Sequence, residues 1–416
     1  MFYALKTLPY YILSLCVVSL IILSNLSVTY YYYVAVILVL TAPIIFYVTP
    51  QTLRRLDHFE WSFIAALCAY ASLSAINMWF HGDWHWTDFN EPSKFLLVVF
   101  VFLAVRRHGL EERALATSTF IGVFSAFALA WYQTEILGVV RVYGSTNHII
   151  SAFGLIVLLS GYFTLIYVAL SKNLKIWRVP LAIVVAGVTL YTIAVTGTKG
   201  IWIALPGTFG LLVMSKWGSN KWLVLTLTML FVASLGMIFM FNDLVNNRLT
   251  GLMQPLETYF KTGLVSDGSL TIRLEVWKAS IIMFFNNPIF GVGLGNFVST
   301  KSELIAAGVI QPSTEFVGGP HSDILGVLAI QGMIGFSALF FMYYAFLRLC
   351  WRYKAQSIEL FWCSLGLIVI YTLTGLAGDR LSSNLTATYL ALMMAIFAGQ
   401  MSYKKKLFLM SNSAKN

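Results

Sequence analysis

Long apolar runs, separated by short polar connectors, make up most of the chain. A helix needs about 20 predominantly apolar residues to cross the hydrocarbon core of a bilayer. The runs predict twelve membrane spans, at residues 9–27, 29–49, 61–80, 94–105, 114–134, 148–170, 178–197, 200–216, 221–241, 323–347, 357–377 and 384–402. The fourth and eighth runs are short for a crossing and could be tilted or joined to their neighbours. The pattern therefore predicts an all-α polytopic membrane protein.

Composition supports this class. Hydrophobic residues make up 59% of the 416 positions, and charged residues only 11%. Soluble domains carry roughly 25% charged residues, so a soluble globular protein is excluded. The first apolar run is followed by a second span and not by a small-residue cleavage site, so we expect no cleavable signal peptide.

Basic residues are distributed unequally between the two sets of connectors. The connectors on the side of the two termini carry 18 of the 27 Lys and Arg residues, and the opposite set carries 9. Because cytoplasmic loops are enriched in Lys and Arg, both termini are expected in the cytoplasm. The net charge of +10 is thus a topology signal, and no nucleic-acid partner is expected.

The spans and connectors divide the chain into three parts. Residues 1–241 hold the first nine spans, residues 242–322 form one large outer loop, and residues 323–416 hold the last three spans and a cytoplasmic tail. Apolar residues recur at helical spacing over 272–286 in the loop, and the following Asn-Asn-Pro is expected to end that helix. The glycines at 291, 293 and 295 suit a tight turn against a helix. They do not fit a nucleotide site, since no strand precedes them and no Gly-Lys-Ser/Thr follows.

His321 lies where the outer loop meets the tenth span. Gly318, Gly319 and Pro320 force a non-helical approach, and Ser322 or Asp323 can cap the helix that follows. An imidazole fixed at a membrane boundary is suited to proton transfer or to binding an anion. The alternative is a histidine that only caps the helix or lies among lipid headgroups.

Four basic residues on the outer side are not required by topology. Lys199 lies in a very short turn between two spans, and Arg273 begins the loop helix, while Arg141 and Arg380 lie in shorter outer loops. Three of them have simpler explanations, which are snorkelling for Lys199, a solvated helix face for Arg273 and a local ion pair with Asp379 for Arg380. Together, cations gathered near one membrane face suit an anionic headgroup such as a diphosphate.

Metal and disulfide chemistry are not expected. His81 and His85 flank an aspartate, with Asp88 and Glu91 close by, but an aromatic belt rich in Trp explains that loop more simply. The four cysteines are scattered and form no Cys-x-x-Cys pair, so we interpret them as packing residues.

Three segments resemble the O-antigen ligase and polymerase superfamily of bacterial polysaccharide assembly. TGTKGIW at 196–202 is similar to that family's T-x-S-R-[GA] turn, with Lys199 in place of the usual arginine. IRLEVW with NPIFGVGLGNF, within 272–297, resembles its R-x-x-x-W…P-x-x-G-x-G-x-x-x-F block. HSDIL with QGMIG, within 321–335, resembles its H-[NS]-x-x-L helix. The lysine keeps the charge of the family's arginine but lacks the bidentate fork.

The resemblance covers about residues 140–345 and implies a GT-C-like glycosyltransferase of the bacterial inner membrane. Such an enzyme would transfer a glycan from undecaprenyl diphosphate at the periplasmic face, with inversion and without a metal or another cofactor. The implied partners are that carrier-linked glycan, a lipid A–core acceptor and membrane lipids. The short chain and compact outer loop favour a ligase, whereas a polymerase or a protein O-oligosaccharyltransferase would use the same donor.

The resemblance also implies roles for individual residues. His321 would be the catalytic base or a diphosphate ligand, and Asp323 and Asp379 would support it. The cations implied to bind the donor diphosphate are Lys199, Arg273, Arg141 and Arg380. A transporter or lipid flippase is the competing class, but it would require charges within spans or pairs of broken helices, and few are visible.

Overall fold

Helices account for all the regular structure in the described part of the computed structural model, which covers residues 2–47, 56–82, 84–144, 150–171, 177–216, 229, 257–261 and 269–413. In chain order they are α1 (Phe2–Leu26), α2 (Val28–Tyr47), α3 (His58–His81), α4 (Trp86–His108), α5 (Glu112–Trp131), α6 (Ile150–Leu170), α7 (Arg178–Thr196), α8 (Lys199–Trp202), α9 (Ala204–Lys216), α10 (Ser269–Asn286), α11 (Phe297–Ala306), α12 (Asp323–Arg352), α13 (Ile358–Gly375) and α14 (Asn384–Ser413). A π-helical turn (Tyr132–Ile136) extends α5, and a 3₁₀ turn (Pro312–Thr314) follows α11.

The predicted all-α membrane class is confirmed. Eight helices of the described residues are long and apolar enough to cross a membrane, and two shorter apolar helices accompany them. The predicted span at 94–105 belongs to the longer helix α4, and the one at 200–216 begins with the single turn α8. The predicted span at 221–241 lies outside the described residues. The count of twelve and the three-part division therefore stay predictions.

Two helices form the centre of the transmembrane region. Most of α6 and of the apolar part of α14 is buried by neighbouring helices. By contrast, large apolar side chains such as Leu15, Leu40 and Phe340 are exposed on outlying helices. In a bilayer these side chains face lipid tails. Because the tails are themselves apolar, the contact is not unfavourable.

The polar segment (residues 242–322) has a small apolar core of its own where it is described. Val276 and Met283 of α10 pack with Phe297, Ile310 and other buried residues, and this cluster reaches Ala329 of α12. The predicted amphipathic helix at 272–286 is confirmed, and it ends at Asn286. This core seats α10 against the first turns of α12.

Helix α12 is broken at Gly332, where the backbone adopts φ 63° and ψ −160°. The chain from Pro288 to Gly293 lies in the break and pairs with it: the N–H groups of Val292 and Gly293 donate to the carbonyls of Ala329 and Ile330, both at 2.9 Å. The N–H of Met333 donates back to the Pro288 carbonyl at 2.8 Å.

Glycine is required on both sides of this crossing. A Cβ at Gly332 would lie 2.3 Å from the Ile289 carbonyl oxygen, and one at Gly291 would lie 2.4 Å from the Ile330 carbonyl carbon. Both positions also have positive φ. The sequence predicted a tight turn beside a helix here, and the structure adds that the helix itself is interrupted.

Candidate active site

His321 occupies a strained position at the start of α12. Its φ of 51° lies in the left-handed region, which residues with a side chain rarely adopt, and it is the only such non-glycine residue in the described structure. The indole N–H of Trp277 donates to the backbone carbonyl of His321 at 3.4 Å. Ser322 is the N-cap residue, but its side chain makes no capping hydrogen bond. Strain of this kind is concentrated at functional sites.

Asp379 is the partner of the His321 ring. Nδ1 of His321 lies 2.7 Å from Oδ2 of Asp379, and the two side chains are 39% and 22% exposed. The carboxylate fixes the ring through Nδ1 and leaves Nε2 for a substrate. The sequence suggested an ion pair between Asp379 and Arg380. In the structure, the carboxylate of Asp379 contacts the ring of His321.

Asp323 ties α12 to the connector that carries Asp379. Its Oδ1 accepts the backbone N–H groups of Arg380 at 2.7 Å and Leu381 at 2.9 Å. The carbonyl of Arg380 is held in turn by the hydroxyls of Tyr371 and Thr386. The expected supporting role of Asp323 thus takes the form of a backbone anchor, which sets the place of Asp379 relative to His321.

Two arginines lie beside this pair. Burial lowers the pKa of Arg380, which is 2% exposed, and the charges of Asp323 and Asp379 oppose that shift. Burial also lowers the pKa of the half-buried Arg273, against the charge of Asp379. Both guanidinium groups remain cationic. Nε of Arg380 is buried and has no hydrogen-bond partner among the described residues.

The turn that carries Lys199 packs against the same connector. Helix α7 ends at Thr196, Gly197 adopts φ 61°, and α8 begins at Lys199. A Cβ at Gly200 would lie 3.2 Å from the Ala377 carbonyl oxygen, so the turn touches the stretch leading to Asp379. The side chain of Lys199 lies outside the described part of the structure.

Arg141 reaches the same turn from another connector. Its Nε donates to the Thr196 carbonyl at 3.3 Å, and the Val142 N–H donates to the Val195 carbonyl at 3.1 Å. Arg141 therefore braces the end of α7, whereas Arg273 and Arg380 lie at the His321–Asp379 pair.

The loop leading to His321 is held by a buried lysine. Lys301 is fully buried on α11, and its ammonium donates to the carbonyls of Thr314, Glu315 and Val317. From α10, Glu275 accepts the Gln311 N–H at 3.1 Å. Neither residue stands out in the amino-acid sequence.

The histidines at 81 and 85 do not gather acidic ligands. His81 packs against Gly293, and His85 is the N-cap residue of α4. The described residues contain no group of three His, Cys, Asp or Glu side chains placed to hold a metal ion.

The fold and the site define an all-helical, multi-pass membrane protein with a histidine–carboxylate pair and two arginines where its polar segment meets a span. The family model of the O-antigen ligases matches residues 184–340, which include the Lys199 turn, Arg273 and His321. Residues 184–340 are therefore similar to the O-antigen ligase family.

A curated relative extends the similarity over more of the chain. An uncharacterized protein of Haemophilus influenzae is 22% identical over 258 residues. The match covers 61% of this chain and 63% of the relative's length. It assigns no activity.

Proposed function

We propose that this protein transfers O-antigen polysaccharide from undecaprenyl diphosphate to a sugar of lipid A–core, at the periplasmic face of the bacterial inner membrane. The observation that carries the proposal is the His321–Asp379 pair with Arg273 and Arg380 beside it. A base next to fixed cations is the arrangement that a transfer from a diphosphate leaving group requires. The similarity of residues 184–340 to the O-antigen ligase family supports a lipid-linked glycan as the donor.

In the proposed reaction the acceptor hydroxyl oxygen attacks the anomeric carbon that carries the diphosphate. The hydroxyl proton passes to Nε2 of His321 as the new glycosidic bond forms. The bond between the anomeric carbon and the diphosphate oxygen breaks, and its electron pair leaves with undecaprenyl diphosphate. Attack from the face opposite the leaving group inverts the anomeric centre. A diphosphate is already a good leaving group, so this scheme needs charge neutralisation and a base, and no metal step is invoked.

Asp379 would act as the positioning residue for His321. By accepting a hydrogen bond from Nδ1–H, the carboxylate selects the tautomer in which Nε2 is free to accept a proton. It also stabilises the imidazolium that forms during transfer. Arg273 and Arg380, with the Lys199 turn nearby, would bear the charge that grows on the diphosphate.

A second role for His321 is compatible with the same geometry. In its protonated form the ring could hydrogen-bond the diphosphate from Nε2 while Asp379 holds Nδ1. The two roles differ in what a substitution changes, because a lost base lowers turnover and a lost ligand weakens donor binding.

The acceptor distinguishes the activities that share this donor. A polymerase would use another carrier-linked glycan, and a protein O-oligosaccharyltransferase would use Ser or Thr. We favour the ligase by analogy with the family whose model matches residues 184–340.

The interrupted helix α12 raises the transporter alternative, since broken helices offer free carbonyls to ions. Here the carbonyls of Ala329 and Ile330 are occupied by N–H groups of the inserted chain. The break is therefore better explained as a seat for the polar segment.

The lipopolysaccharide profile of a deletion strain tests the proposal. Loss of a ligase leaves bare core on the gel while carrier-linked polymer accumulates. Core bearing one repeat unit would instead indicate a polymerase, and an unchanged profile would contradict both. In a vesicle assay, lipid movement without glycan transfer would support the transporter class.

A further inference from the structure

A cavity of about 440 Å³ adjoins the loop that carries His321. Its walls come from α3, α4, α12, the start of α11 and the connector between α13 and α14. Small-molecule sites span roughly 300–1,000 Å³, so the space suits one or two sugar rings. Gly318 to Pro320 and Ser322 line it, so it adjoins His321 directly.

The charge of the lining is one-sided. Asp88, Glu91, Asp323 and Asp379 all line the cavity, and no Lys, Arg or His is among its described lining residues. Asp88 and Glu91 lie one turn apart on α4, in the segment where histidines and acidic residues cluster in the sequence. Such a lining repels a diphosphate.

Polar side chains contribute to the wall. Oδ1 of Asp379 is buried and accepts no hydrogen bond among the described residues. Asp323 is 9% exposed, and its Oδ1 accepts the backbone N–H groups of Arg380 and Leu381. Tyr70 and Gln331, both buried, supply further polar groups to the wall. A wall of carboxyl, amide and phenol groups suits a ligand that brings hydroxyl groups.

The cavity and the cations meet at Asp379. That carboxylate lines the cavity, holds the His321 ring, and lies beside Arg273 and Arg380. A hydroxyl entering from the cavity and a diphosphate held by the arginines would therefore meet at the same imidazole.

We propose that this cavity binds the uncharged, hydroxyl-rich sugar of the acceptor, with Asp88 and Glu91 accepting hydrogen bonds from its hydroxyl groups. The inference rests on the proposed glycan transfer and assigns its two substrates to opposite sides of the His321 loop. Asp88 and Glu91 become determinants of acceptor binding and have no part in donor binding.

Kinetics with the purified, full-length protein test this assignment, with the undecaprenyl-diphosphate glycan and lipid A–core varied separately. Asp88→Asn and Glu91→Gln should each raise the acceptor KM about 10-fold, because each weakens a hydrogen bond to a charged group. The donor KM should stay within about twofold. Glu303→Gln, which neutralises an exposed carboxylate of α11 outside the cavity, is the matched control and should change neither constant.

A steric variant keeps the test decisive if neutralisation disturbs α4. Val298 lines the cavity from α11 and is 45% exposed, so Val298→Trp fills space without changing charge. It should raise the acceptor KM and leave the donor KM unchanged. An unchanged acceptor KM in all three variants, or a rise confined to the donor KM, overturns the assignment of the cavity.

The proposed function fails in a different way. If the wild-type protein joins carrier-linked glycans and ignores lipid A–core, the ligase proposal is wrong. The same variants are then measured with the carrier-linked acceptor. A raised KM for that acceptor supports the cavity as a sugar site, and an unchanged one overturns it.

Discussion

Nδ1 of His321 lies 2.7 Å from Oδ2 of Asp379, although the two residues belong to connectors on either side of two membrane helices. The contact depends on Asp323, which fixes the backbone of the second connector from the first turn of α12. Three residues thus form one unit, in which a carboxylate orients a ring and another carboxylate orients the connector.

The pair makes Asp379→Asn informative. The amide should reduce kcat by about 10²-fold or more, because it no longer stabilises the required tautomer or the imidazolium. His321→Ala should cost at least as much, and the double variant should be no worse than His321→Ala alone. Additive losses, measured in a purified transfer assay, would show that the two residues act independently.

The two roles of His321 separate in the same assay. If the ring is the base, His321→Ala abolishes turnover while donor binding stays near normal, and the wild-type rate falls on acidification, because a protonated ring cannot accept a proton. If it is a diphosphate ligand, donor affinity falls with turnover and the acid loss is absent or reversed. A folded His321→Ala protein with wild-type turnover would leave the residue with a structural role only.

Binding of the donor diphosphate by Lys199 and Arg273 predicts large losses on charge removal and unequal effects of charge-conserving exchanges. Arg273→Ala and Lys199→Ala should each reduce transfer more than 10-fold, since a hydrogen bond to a charged group contributes about 1.5–3 kcal/mol. Lys199→Arg should keep much of the activity and Arg273→Lys less, because lysine lacks the planar fork. Lys261→Ala, which removes an exposed ammonium of the polar segment, is the control. Wild-type turnover in the Lys199→Ala, Arg273→Ala double variant would show that these two cations do not bind the diphosphate.

The break in α12 predicts a strict need for glycine. Gly332→Ala should destabilise the protein by about 2 kcal/mol or more, through positive φ and a clash with the Ile289 carbonyl. Gly187→Ala on α7 is the control, because a Cβ there meets nothing within 4 Å. It should be neutral or stabilise by roughly 0.5–1 kcal/mol. Thermal unfolding in detergent measures both, and equal stabilities would contradict the described crossing.

Lys301 should matter without touching substrate. Lys301→Met leaves two buried carbonyls and one partly buried carbonyl without their donor and should cost about 1–3 kcal/mol of stability. Turnover should fall with it, because the loop to His321 loosens. Lys261→Met provides an exposed comparison and should change little. Unaltered stability of Lys301→Met would mean that the loop is held by other contacts.

Orientation in the membrane is tested by cysteine labelling. Once the four native cysteines are replaced, Ser302→Cys on α11 should react with an impermeant thiol reagent from outside the inner membrane. Ser411→Cys near the end of α14 should react only after permeabilisation, because 18 of the 27 basic residues lie on the terminal side. The reverse pattern would invert the proposed topology.

The class of protein and the candidate site residues can be predicted from the amino-acid sequence. Bilayer thickness sets how long an apolar helix must be, so the lengths of the runs indicate spans directly. The sequence also identified His321, Arg273 and Arg380 as candidates, since polar residues at a membrane boundary need a reason to be there. These inferences depend on properties that are local in the chain.

Which of these residues lie in contact depends on how the helices and connectors pack. Asp379 precedes Arg380 in the sequence, and packing brings the carboxylate of Asp379 into contact with the ring of His321. The residues around Gly291 and Gly332 do not predict that these two glycines pack together. The reason is that the hydrogen bonds of a helix break are satisfied by a distant segment. The acidic cavity likewise forms only where packing brings α4 close to the connector at residues 379–382. Contacts between separate elements depend on how buried polar groups find partners, and that is settled by the assembled fold.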